Sequence, residues 1–130
     1  MSKQSERPHI EFFAVPETGW TIPPGYPETI TQHIIVDTLD TQQRTGERVL
    51  LMRFAPGAIT GDEPIRHAEC EDVFVYSGDL IVYGAEDATG QRSRTRFDAP
   101  AYATRPGDVP HGPFGSDTGC LMLVRFCFPA

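Results

Sequence analysis

The run Cys120-Leu121-Met122-Leu123-Val124-Arg125-Phe126-Cys127-Phe128 sets Met122, Val124, Phe126 and Phe128 against Leu121, Leu123 and Arg125. Successive side chains of a strand point to opposite faces, so this period of two predicts a half-buried β-strand. Shorter apolar runs at 34–36, 48–54, 73–76, 80–83, 95–97 and 101–103 read as further strands. The polar stretch 40–46 predicts a hairpin between the first two of these. Ser77-Gly78-Asp79 predicts a second, tight hairpin between 73–76 and 80–83, because glycine takes the positive φ such a turn needs. No segment carries a period of 3.6 over ten or more positions, which leaves an all-β sandwich or small barrel. The first 30 residues hold Pro8, Pro16, Pro23, Pro24 and Pro27 and read as an extended arm packing across the barrel or onto a neighbour, ahead of a barrel over 31–130.

Composition narrows this picture. A chain of 130 residues suits one domain, and 12 Gly with 12 Pro favour turns and strands over a helical bundle. The net charge of -7, with no Lys/Arg cluster to offset it, disfavours nucleic acid and anionic membranes and leaves a small molecule as the expected partner. No run of about 18 apolar residues exists to span a bilayer, and the N-terminal seven residues lack the apolar core of a secretion signal. Three cysteines fit a reducing compartment, so a cytoplasmic location is expected. Cys120 and Cys127 would face opposite ways in one strand and not pair. Cys70 would turn from its neighbours into the core.

The chemistry gathers at His67-Ala68-Glu69-Cys70-Glu71. In an extended strand residues 65, 67, 69 and 71 share one face, which puts an imidazole beside two carboxylates. Two adjacent carboxylates repel, so a metal ion, a shared proton or solvent must relieve them. A solvated acidic edge is one reading, given Asp62, Glu63 and Asp72 nearby.

With Pro56-Gly57, Gly78 and Pro106-Gly107-Asp108-Val109-Pro110-His111, these residues resemble the two motifs of the cupin superfamily. The resemblance implies a single-domain double-stranded β-helix, or jelly-roll barrel. His67 takes the second His position of the first motif, Glu71 its Glu, Gly78 its Gly, and His111 the final His of the second. The stretch from Trp20 to Gly57, with His111-Gly112-Pro113-Phe114 and Gly119-Cys120, is similar to the cupin domain of ChrR-type anti-sigma factors. Two positions depart from the pattern: Ile65 stands where the first metal-binding His belongs, and Asp108 replaces a glycine. The implied ligands are therefore His67, Glu71 and His111, with Glu69 as the candidate for the vacant place. Such a set suits a non-haem Fe(II) centre, then zinc or manganese.

Arg53, at the end of an apolar strand, is a candidate anchor for an acidic ligand; His33, Tyr76 and Phe114 are candidates for lining the pocket, and Trp20 for walling it. Three functions follow. One is a metal-dependent enzyme, foremost a dioxygenase, acting on a chelating oxygen substrate. Another is a metal-free or zinc-dependent cyclase, isomerase or dehydratase in which Glu71 or Glu69 works with a histidine. The third is a sensory or binding module, as the anti-sigma resemblance implies. Similar cupins are dimers, so a homodimer through sheet and arm is expected.

Overall fold

The computed structural model describes residues 6–129, and all of its regular elements are strands: β1 (Ile30–Asp37), β2 (Glu47–Phe54), β3 (Cys70–Glu86), β4 (Arg92–Asp98), β5 (Ala101–Arg105), β6 (Phe114–Gly115) and β7 (Cys120–Cys127). All pairings are antiparallel, in the order β1-β2-β7-β3-β4, with β5 and β6 also on β3. No helix among the described residues is long and apolar enough to cross a membrane. Each short apolar run lies inside one of these strands. The 40–46 stretch turns the chain as expected: Asp40 and Thr45 exchange backbone hydrogen bonds, and the Asp40 carboxylate accepts from the N–H of Gln42 and Gln43.

Alternation decides what each strand buries. Leu50, Met52 and Phe54 of β2, Val73 and Val75 of β3, and Cys120, Met122 and Val124 of β7 form one buried cluster, joined by Ile30 and Ala58. Leu123 and Arg125 face outward. Cys120 and Cys127 do not pair, but Cys70 departs from expectation. It is only half-buried and lies directly opposite Cys127, their sulfurs 3.2 Å apart, because its parity sends it to the outer face rather than into the core.

The hairpin expected at Ser77-Gly78-Asp79 does not form. Residues 70–86 are one strand of 17 residues that pairs with β5 and β7 along its first half and with β4 and β6 along its second. Gly78 does take a positive φ, +80°, but uses it to bend β3 beside a register shift between Val75 and Ser77.

Asp79, fully buried, fastens that bend. Its carboxylate accepts from the Thr118 hydroxyl (2.6 Å) and from the N–H groups of Thr118 (2.9 Å) and Asp117 (3.2 Å), with the Ser116 hydroxyl 2.9 Å away. Burial alone would raise its pKa; the hydrogen bonds from Thr118, Ser116 and Asp117 overcome this and hold the carboxyl well below the usual range. A depressed folded pKa contributes stability that is present above the unfolded value near 3.8 and is lost as pH falls through the folded one. Asp79→Asn is therefore expected to cost about 2 kcal/mol at pH 7 and to flatten the acid limb below pH ~4. Urea denaturation of both proteins across that range checks it; parallel acid limbs would contradict the assignment.

Upstream of β1, an isolated bridge joins Thr21 to Gln32, and a shallow groove runs between Ile10, Phe12, Phe13 and Val15 on one side and Val36, Val49 and Leu51 on the other.

Candidate metal centre

Glu71 lies on the inward face of β3, buried, directly opposite Arg105 of β5 and Phe126 of β7. His67 lies just before β3 and His111 in the segment after β5. These two segments are sewn together by Ile65 and His111, which exchange backbone hydrogen bonds of 2.7 and 2.9 Å. Ile65, at the position of the missing histidine, lines the cavity. Asp108, at the position of the missing glycine, adopts φ +62°, a left-handed conformation that aspartate tolerates better than most residues.

The two imidazoles are oriented alike. His67 Nδ1 lies 2.9 Å from the Glu69 carbonyl and His111 Nδ1 2.9 Å from the Val109 carbonyl, so each donates its Nδ1–H to backbone and carries a bare Nε2. Those Nε2 atoms face Glu71, at 3.8 Å from Oε2 for His67 and 3.6 Å from Oε1 for His111. The rings stand edge to face, 4.9 Å apart, and Phe126 closes on His67 at 5.2 Å. One ligand atom from each of His67, Glu71 and His111 falls within 4.8 Å of the others. His67 Nε2 is buried and accepts no hydrogen bond. A buried, unpartnered acceptor is costly, and a cation between two bare imidazole nitrogens and a carboxylate removes the cost. The residues present therefore fit a divalent metal. A first-row ion with bonds of about 2.1 Å spans at most about 4.2 Å between two ligands, so the trio stands slightly open.

Glu71 beside His67 raises that imidazole's pKa against the effect of burial, whereas burial lowers His111. Tyr26 borders the same space, its phenol pushed up to about 12 by burial and by Glu71, so it stays protonated. The cavity holds about 220 Å³. Its walls are apolar, among them Met52, Phe54, Val75, Met122 and Val124, while Glu71, Arg105 and His111 supply charge and ligands.

Several expected site residues lie elsewhere. Glu69 does not join the trio: its carboxylate is 3.5 Å from His67 Nδ1, the side turned from Glu71. Residues 68–69 form a bend before β3 begins, so strand alternation does not apply to them. Arg53 and His33 are on the outer face, where Arg53 stacks 4.1 Å over Trp20 and His33 lies 5.8 Å from the same ring. Their parity is opposite to that of the buried Leu50, Met52 and Phe54, across the β1–β2 register. Trp20 thus walls no part of the cavity. Tyr76 also faces outward, stacked on Phe74. Phe114 does line the cavity, between His111 (5.7 Å) and the Arg105 guanidinium (5.6 Å).

Two lining residues went unassigned by the sequence. Tyr26 sits in the Pro-rich arm, where no periodicity marks a facing direction. Arg105 shares its parity with Ala101 and Ala103, and it pairs with Glu71 across β3 and β5.

No protein-family model matches this chain, and no curated protein does. Among solved structures it is similar to an acetylacetone dioxygenase from Acinetobacter johnsonii, with a TM-score of 0.64 at 15% identity over 95% of this chain and 78% of that one. It is also similar to KdgF from Halomonas sp. (TM-score 0.61, 19% identity, 94% and 96% covered). An RmlC-like cupin from Shewanella frigidimarina gives 0.59 at 17% identity over 93% of each chain. The chain has the cupin fold: all-β, one domain, strands closed around a cavity. The finer likeness to ChrR-type domains stays a resemblance of sequence.

Proposed function

We propose that this protein is a metal-dependent cupin enzyme acting on a small oxygen-bearing organic substrate, foremost a non-haem Fe(II)-type dioxygenase. The observation that carries the reading is the convergence of two bare Nε2 atoms, one of them buried and unpartnered, on the Glu71 carboxylate. Two imidazoles and one carboxylate are the donor set of non-haem iron oxygenases; iron ranks first, then zinc or manganese. A bound ion supplies a Lewis acid and, as iron, a partner for O₂. The chain's own residues hold His67 and His111 in one tautomer through Glu69 and Val109, and Met52, Phe54 and Met122 exclude water.

The test is elemental analysis of purified protein with oxygen uptake on acetylacetone, the compound named for the dioxygenase of the same fold. About one metal per chain is expected, with uptake abolished by chelation and restored by Fe(II). Turnover by metal-free protein would favour the second reading, an acid–base cyclase, isomerase or dehydratase. That alternative is supported by Ile65 in place of a ligand and by His67, whose raised pKa lets it hold a proton against Glu71.

A homodimer and a cytoplasmic location belong to the same proposal. Leu123, Phe74 and Tyr102 lie side by side across β7, β3 and β5 on the outer face, each more than a third exposed, an apolar row that a second copy would cover.

A further inference from the structure

We propose that Arg105 is the substrate-anchoring residue of this cavity, and that the substrate carries an anionic oxygen group, a carboxylate or an enolate, on a small apolar body. The inference rests on the metal reading of His67, Glu71 and His111.

Among the described residues lining the cavity, Arg105 is the one arginine or lysine. Its side chain is 17% exposed, and it makes an ion pair with Glu71. In that arrangement each neutralises the other. A divalent cation on Glu71 changes the balance: two positive charges from the ion, one from Arg105 and one negative from Glu71 leave a net of about +2 beside neutral imidazoles. The Glu69 carboxylate, 3.5 Å from the far side of His67, offsets one charge at most. Uncompensated charge in an apolar enclosure is unfavourable, so an anion is required there.

The guanidinium fits that anion in shape as well. Its planar fork matches a carboxylate or the oxygens of an enolate, and it is steadied over the Phe114 ring, next to His111. An anion gripping Arg105 at one oxygen therefore presents another toward the histidine–glutamate trio. The remaining walls are mostly hydrocarbon, Val73, Val75, Met122 and Val124 among them, with neutral hydroxyls at Tyr26, Thr60 and Tyr102 and no further charge, which asks for a small, largely hydrocarbon body. At roughly 30 Å³ per water, 220 Å³ holds about seven waters, so the body is small.

The experiment uses zinc-loaded protein, in which no redox turnover intervenes. Calorimetric titration compares 2-hydroxyisobutyrate with its neutral isostere 2-hydroxyisobutyramide for wild type, Arg105→Leu and Arg105→Lys, with zinc content measured on the same samples. Wild type is expected to prefer the acid at least tenfold. Arg105→Leu is expected to keep its zinc, to lose at least tenfold in affinity for the acid and to change less than about twofold for the amide, while Arg105→Lys recovers part of the loss. If Arg105→Leu loses zinc, or loses both ligands equally, Arg105 merely positions Glu71 and the inference fails. Wild type that holds zinc without preferring the acid overturns the inference and leaves the metal centre standing. Wild type that retains no zinc overturns the metal reading itself, and the inference with it.

Discussion

Glu71→Gln is expected to reduce bound metal from about one ion per chain to under a tenth, measured by elemental analysis after dialysis. Glutamine preserves the volume and the buried position of Glu71 but removes the only carboxylate of the trio. The neutral amide attracts a cation far less and leaves the Arg105 guanidinium without its anion. An unpaired buried charge is costly, so the metal-free variant should also unfold several degrees below metal-free wild type. His111→Ala should lose metal to the same extent without stranding Arg105, which separates the two effects. Full metal content in the glutamine variant would remove Glu71 from the site.

Acid should imitate that loss in wild type. Glu71 raises the pKa of His67, and a protonated imidazole cannot ligate, so retention should decline as pH falls, with proton competition setting in already above the ordinary histidine value. In metal-free protein the two histidines act with opposite sign. The raised His67 contributes stability below its unfolded pKa, lost as pH rises through the folded value. The lowered His111 favours folding above its unfolded pKa and loses that contribution as pH falls toward the folded value. Acid should therefore destabilise the metal-bound form more than the metal-free one.

Gly78→Ala is expected to cost at least about 3 kcal/mol, a fall in Tm of roughly 10 °C or more. A Cβ at Gly78 would stand 1.9 Å from the Gly119 carbonyl oxygen and 2.8 Å from the Cys120 Cα, both backbone atoms of the β7 side that no rotamer change can move away. The φ of +80° adds about 1–2 kcal/mol for any L side chain. Gly90→Ala is the control: its φ is +83°, but nothing lies within 4 Å of the added carbon, so it should show the conformational cost alone. Thermal unfolding of both variants decides the matter, because equal losses would mean that the approach of β3 to the 119–120 backbone carries no weight. Gly78 lies seven residues beyond Glu71 on the same strand, where β3 passes from its β5 and β7 partners to β4 and β6, so the site depends on that bend.

The sequence by itself determined where most of the strands lie and singled out the three residues that converge at the candidate site. Alternation in 120–128 states which side chains are buried, because a strand's parity is a local property and burial of apolar surface selects one face; the unbroken run Val49-Leu50-Leu51-Met52 states only that a strand is there. The spacing of His67, Glu71 and His111 was likewise legible, through its resemblance to the two cupin motifs. Tertiary structure decided the rest. A glycine with positive φ serves a turn or a bend equally well, and only the Gly119 backbone packed against Gly78 makes it a bend. Glu69 shares the parity of His67 and Glu71 only if the strand starts early; the bend at residues 68–69 turns it to the far side of the ring. Arg53 and Arg105 are both arginines at the ends of apolar strands. What sends one outward and the other into the cavity is which face each strand turns to the core, and for β5, whose inward neighbours are two alanines, that face is set only by its pairing with Glu71 across the sheet.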